Sequence, residues 1–261
     1  MKVLVLGHNG MLGRAAVTYF GTIPTIEVHT TMSRFGDSDF KNVIDAIAPD
    51  FILNAIGKIP QKKPTEVEYK LINTDLPLYL DTLGYKVILP TTDCEFKGTL
   101  LPGQAYSRDA VRDADDIYGM SKAIPSAQLE AHGKHTKIIR TSIIGHEKDT
   151  AVALLDWFLS QEGSVRGYTN HYWNGITTLQ WVKECYQIMT HWDTTPTLTQ
   201  LGTTKHHSKY DVLLIAKAIY GKDIEVVPFT PDVGTNKCVV SDYEVPTLEI
   251  QLEELKAFYG K

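Results

Sequence analysis

Two kinds of apolar run alternate along the first half of the chain. Val3-Leu4-Val5-Leu6 and Phe51-Ile52-Leu53-Asn54-Ala55-Ile56-Gly57 are short and continuous, the pattern of strands buried on both faces. Ile26 to Met32, Lys86 to Thr91 and Thr136 to Ser142 add three more strand patterns. Between them the apolar residues recur at helical spacing, over Met11 to Phe20, Asp39 to Ala48 and Thr65 to Leu83, where Pro77 interrupts or kinks the run. A later helix carries Ile117-Tyr118-Gly119-Met120-Ser121-Lys122 and has Asp115 or Asp116 as its cap. Strand and helix in alternation predict a doubly wound parallel α/β sheet of Rossmann type.

Beyond Gly145 the alternation loosens. Ala151 to Gln161, Thr178 to Trp192, Ser208 to Tyr220 and Thr247 to Tyr259 read as helices, with Ser208 capping the third. Ser164 to Gly167, Thr197 to Leu201 and Ile224 to Phe229 read as strands, and Tyr168 to Gly175 as a loop dense in aromatic residues. No Pro/Ser-rich linker intervenes. The reading is a nucleotide-binding domain over residues 1–145 and, over 146–261, a smaller α/β substrate lobe, some of whose segments return to the first domain.

Composition narrows the partners. At 261 residues the chain is long enough for one large core with a lobe grown on it. A net charge of -5 leaves no basic footprint, which argues against nucleic acid. No apolar run reaches a membrane-spanning length, and the opening strand runs directly into a glycine loop, unlike a signal peptide. Cys94, Cys185 and Cys238 are scattered without metal-type spacing, so reduced thiols and a cytoplasmic setting are expected. The adjacent His206 and His207 have no partner carboxylate spacing and are expected at the surface, with no metal bound.

The candidate chemistry begins at Gly7-His8-Asn9-Gly10-Met11-Leu12-Gly13. A strand, a glycine turn and a helix deliver backbone N–H groups and a helix N-terminus to a pyrophosphate. The spacing is G-x-x-G-x-x-G and not the standard G-x-G-x-x-G. After the second strand, where an acid would hold a ribose 2′-hydroxyl, stands Ser33-Arg34. A guanidinium and a hydroxyl can bind a 2′-phosphate, which favours NADP(H) over NAD(H). Polar residues follow the fourth strand: Thr91, Thr92, Asp93, Cys94 and Glu95. Tyr118 and Lys122 are four apart on one helix face. A nearby ammonium favours a phenolate, and a hydroxyl opposite the tyrosine can polarise a carbonyl.

These motifs, with Asn54-Ala55, Thr91-Thr92-Asp93-Cys94-Glu95-Phe96 and Arg140-Thr141-Ser142, make the chain resemble the extended short-chain dehydrogenase/reductases. Within them it is similar to the dTDP-4-dehydrorhamnose reductase-like group. The resemblance implies NADPH-dependent reduction of the C4 ketone of a nucleoside-diphosphate 4-keto-6-deoxy sugar. It implies catalysis by Thr92, Tyr118 and Lys122. Gly7, Asn9, Gly10, Met11, Leu12, Gly13, Ser33, Arg34, Asp39, Phe40, Asn54, Ala55, Ile56 and Gly57 would line the cofactor with Tyr118 and Lys122, Asp39-Phe40 lying by the adenine. Thr92, Asp93, Cys94, Glu95, Phe96, Ser142, Trp173 and Asn174 would meet the sugar nucleotide, and a homodimer is the assembly it allows.

Two positions depart from that pattern: Cys94 stands where the group often has an aromatic residue, and Glu95 where it has an aliphatic one. Glu95 either alters sugar selection or points to solvent. The segment Gly167 to Gly175 matches the usual substrate loop poorly and is either a binding loop or a packed hinge. A 4-epimerase that returns the hydride to the other sugar face shares every residue named above. A non-catalytic NADP-binding subunit, like the methionine adenosyltransferase regulator, is the rival of another class.

Overall fold

The computed structural model describes residues 1–261. In chain order the elements are β1 (Lys2–Leu6), α1 (Met11–Phe20), β2 (Glu27–Thr30), α2 (Phe40–Ile47) and β3 (Phe51–Asn54). There follow α3 (Glu66–Tyr69), a π-helical turn at Lys70–Asp75, α4 (Leu76–Thr82), β4 (Lys86–Thr91), α5 (Ile117–His132) and β5 (Thr136–Arg140). The rest comprises β6 (Ile143–Ile144), α6 (Leu154–Ser160), β7 (Ser164–Tyr168), β8 (His171–Trp173), β9 (Ile176–Thr177), α7 (Thr178–Thr190) and β10 (Leu198–Gln200). It ends with β11 (His207–Ser208), α8 (Lys209–Tyr220), β12 (Glu225–Phe229), β13 (Thr235–Asn236) and α9 (Leu248–Tyr259). No helix is long and apolar enough to cross a membrane.

The chain divides into two compact units. The first comprises residues 1–95, 114–140 and 182–199. Its strands form one sheet in the order β10-β5-β4-β3-β1-β2, and β1 to β5 pair in parallel. The doubly wound sheet expected from the apolar runs is therefore present. Strand order reverses between β1 and β3, so the carboxyl ends of these two strands form the switch point at which such sheets bind ligands. One side of the sheet is packed by Leu4, Leu6, Ile52 and Val87 against Phe40 and Ile44 of α2 and Leu76 and Leu80 of α4.

Two prolines shape the helices beneath the site. Pro77 has no N–H to give Asn73, and its ring clashes with that carbonyl, so the preceding turn widens to π and Leu76 N–H bonds Leu71 O instead. Pro125 lies inside α5 and leaves the Ser121 carbonyl without its helical donor. Thr74 Oγ1 donates to that oxygen at 2.9 Å, which ties the π turn to α5.

The second unit comprises residues 96–113, 141–181 and 200–261. Here β8 pairs antiparallel with β11 and parallel with β13, β7 pairs with β12, and β6 with β9. The aromatic segment expected as a loop thus contains β8. Three residues have little strand preference alone; β11 and β13, both short and both unforeseen, supply the partners. Phe96 stacks on Tyr106 at 4.1 Å and 3°, with Val239 packed beside them. Ser208 caps α8 through a capping box with Asp211.

Candidate active site

The glycine loop owes its course to close approaches. Gly7 has φ 79°, which favours glycine, and a Cβ there would meet Ile56 Cγ1 at 2.9 Å, across the switch point. Gly13 is tighter: its Cβ would lie 2.2 Å from the Gly7 carbonyl oxygen. Gly10 N donates back to Gly7 O at 2.9 Å and stands at the start of α1 without a side-chain cap. Met11 and Leu12 open that helix, half-buried, and no acidic side chain competes for its first turn. Asn9 is exposed, with Nδ2 4.0 Å from Met32 Sδ. These residues fit a pyrophosphate: exposed backbone, a helix N-terminus and no anion already in place.

At the end of β2, Ser33 Oγ donates to Asp39 Oδ1 at 2.9 Å, and Arg34 N–H to Asp37 Oδ2 at 2.6 Å. The Arg34 side chain is exposed. Phe40 does not lie open beside Asp39; it is 2% exposed and packs on Phe35 and Tyr79, because the apolar face of α2 needs it for the core. After β3, Asn54 is buried and accepts Ile56 N–H at 3.1 Å, while its Nδ2 has no partner. Ala55 and Ile56 are half-buried and Gly57 exposed; a Cβ on Gly57 would lie 3.4 Å from Lys122 Nζ.

Thr92 follows β4 and Tyr118 and Lys122 lie in α5, whose first turn Asp116 caps by accepting Gly119 N–H at 2.9 Å. Gly119 admits the helix: its Cβ would come within 2.3 Å of the Cys94 carbonyl oxygen. The structure brings Thr92 and Tyr118 together, their hydroxyls sharing a hydrogen bond. Thr92 Oγ1 also donates to Asp93 Oδ1 at 3.0 Å and accepts Cys94 N–H at 3.1 Å. Burial raises Tyr118, the Cys94 and Asp93 charges add to this, and the bond to Thr92 opposes it. The phenol is therefore protonated here. A phenolate favoured by Lys122 is not the state of this structure, since that lysine is not among the groups acting on Tyr118. Burial lowers Lys122 to about 8, against the charge of Glu95.

The remaining substrate-side residues are less open than expected. Glu95 faces neither solvent nor ligand; it is wholly buried against Arg140 and Thr91. Phe96 is fully enclosed on Tyr106. Asn174 spends its amide internally, donating to Thr203 O and Val239 O and accepting Val239 N–H. Trp173 is 2% exposed, in β8 beside His207. Ser142 is half-buried and its carbonyl accepts Ile176 N–H. His207 is 1% exposed, not superficial, because strand pairing turns it inward; no cluster of His, Cys, Asp or Glu side chains is arranged to hold a metal ion.

Asn73 was not singled out in the sequence. Its side chain accepts Lys58 N–H at 2.8 Å and donates to Lys58 O and Ser121 Oγ, both at 3.0 Å, linking the end of β3 to α5. Only the proline four residues on hinted that this helix was irregular.

The fold is that of the Rossmann-type nucleotide-binding proteins. More narrowly, it is the fold of solved dTDP-4-dehydrorhamnose reductases. The one from Bacillus anthracis, in complex with NADP, has a TM-score of 0.85 at 15% identity over 98% of each chain. The ortholog from Clostridium acetobutylicum has 0.81 at 17% over 100% of both. UDP-glucose 4-epimerase of Thermus thermophilus, complexed with NAD, has 0.76 at 14%, covering 100% of this chain and 99% of its own. No family model matches the sequence, and no curated protein matches it.

Proposed function

We propose that this chain uses NADPH to reduce the C4 ketone of a nucleoside-diphosphate 4-keto-6-deoxy sugar. The observation that carries the reading is the hydrogen-bonded Thr92–Tyr118 pair, with Tyr118 protonated, at the carboxyl end of β4. Gly7, Gly10 and Gly13 would hold the pyrophosphate, Arg34 the 2′-phosphate, and Lys122, beside Gly57, the nicotinamide ribose. When bound, NADPH supplies the hydride. Thr92 orients the ketone oxygen, and Tyr118 delivers its proton as charge develops there. The phenolate left behind recovers its proton from water, since Tyr118 is only half-buried.

The test is incubation with NADPH and dTDP-4-dehydrorhamnose, product configuration being read by NMR. One NADPH oxidised per ketone reduced is the expected result. Inversion at C4 of a nucleotide sugar without net oxidation would replace reduction by epimerisation. NADPH binding without turnover across a panel of 4-keto sugar nucleotides would make the chain a nucleotide-binding subunit.

A further inference from the structure

The turn after β4 holds two buried carboxylates and provides for them unequally. Glu95 is wholly enclosed, with Arg140 Nε 2.8 Å from its Oε2 and the Thr91 hydroxyl 2.6 Å from its Oε1. Asp93 is 8% exposed and has no ion pair; the Thr92 hydroxyl, 3.0 Å from Oδ1, is its one side-chain donor. Asp93 Oδ2 takes no hydrogen bond, yet it is not sealed off as the unpartnered Asn54 Nδ2 is. Carboxylates this far from water are ordinarily paired or multiply hydrogen-bonded. Asp93 has room for a donor from outside the chain.

The Thr92 hydroxyl cannot serve both Asp93 and a ketone. It has one hydrogen and two lone pairs. Here the hydrogen goes to Asp93, one lone pair accepts Cys94 N–H at 3.1 Å, and the other is left for the Tyr118 hydroxyl. To orient a ketone oxygen by donating to it, Thr92 must withdraw its hydrogen from Asp93. The carboxylate would then stand buried without a donor, which is costly unless another group replaces the lost bond. A ketone oxygen and a hydroxyl on the adjacent carbon lie about one hydrogen-bond length apart, about 2.8 Å. That is close to the 3.0 Å between Thr92 Oγ1 and Asp93 Oδ1. In a 4-keto-6-deoxy hexose C5 bears the methyl group and the ring oxygen, so the adjacent hydroxyl is the one on C3.

We propose that Asp93 binds the C3 hydroxyl of the sugar, taking it in exchange for the Thr92 hydrogen, and so selects 4-keto sugars that carry a hydroxyl beside the ketone. The inference rests on Thr92 and Tyr118 meeting the C4 ketone. Its test compares kcat/KM for a nucleoside-diphosphate 4-keto-6-deoxy hexose and for the same compound lacking the C3 hydroxyl. The unaltered chain should prefer the hydroxylated ketone about 100-fold. In Asp93→Ala that preference should nearly vanish, the 3-deoxy ketone being reduced no more slowly than by the unaltered chain. A merely structural Asp93 would lower both substrates alike. An unaltered chain that treats the two ketones equally, or an Asp93→Ala variant that keeps the preference, overturns the proposal. Should Asp93→Ala not fold, Asp93→Asn keeps the size and one neutral acceptor and should cut the preference to about tenfold. If neither ketone were reduced, the reductase reading would fall. Calorimetry with NADP present would then compare the C4-hydroxyl sugar nucleotides with and without the C3 hydroxyl. An Asp93-dependent preference there sustains the inference, and equal affinities end it.

Discussion

The turn after β4 with the head of α5, and the strand β8 with its neighbours, contain the same kinds of residue and use them oppositely. Thr92 and Tyr118 sit at the ends of a six-residue strand and a sixteen-residue helix. Those elements close most of their own backbone hydrogen bonds, with Thr74 and Asp116 supplying the exceptions in α5, and Thr92 and Tyr118 are left side by side. β8 has three residues and β13 two. Elements that short cannot close their own hydrogen-bond ladders, and the Asn174 amide replaces the missing backbone partners at Thr203 and Val239. A polar side chain is free for chemistry where the surrounding fold does not need it.

The sharpest way to break this contrast is at Asn174. Asn174→Leu removes the partners of two buried carbonyls and one buried N–H, and should cost about 4 kcal/mol of stability at about 1–3 kcal/mol each. Urea denaturation measures it, and NADPH affinity of the folded fraction should not change. Tyr118→Phe should do the reverse, lowering turnover about 100-fold or more while stability and NADPH binding stay close to those of the unaltered chain. A loss below about tenfold would remove Tyr118 as proton donor. Arg34→Ala should weaken NADPH about tenfold and leave NADH untouched, by fluorescence titration of both nucleotides. Equal losses would end its phosphate role. The smallest effect is on pH. Lys122 carries a folded-state pKa of about 8, below its ordinary value, so it is charged below that pH and neutral above it. NADPH affinity should be level below about pH 8 and fall about threefold as pH rises through it, whereas Lys122→Arg should give a flat profile.

The same contrast explains what was legible in the sequence. α1 and β4 begin and end where the apolar pattern and its breakers place them, and β1 starts one residue before its apolar run. Their periodicity is a local property, and the glycine loop is written in residues that only a close backbone approach requires. β8, β11 and β13 exist through pairing with distant segments, which no local pattern records. Phe40 and Phe96 carry the residue type of a ligand contact, and only tertiary packing shows that the core holds them. Glu95 was read as facing either sugar or water because its partner, Arg140, lies 45 residues away.

The π turn at Lys70–Asp75 makes this helix a counting device. A π turn accommodates one residue more than the α-helical path through the same space. Deleting Ile72 would remove that extra residue, with Tyr69 and Leu80 still able to face inward, although Pro77 would still deny the Asn73 carbonyl its helical donor. Each residue turns a helix by about 100°, so the excised position would swing Asn73 away from Lys58 and Ser121. One codon, far from any reacting atom, thus determines whether the end of β3 and the helix bearing Tyr118 are tied together.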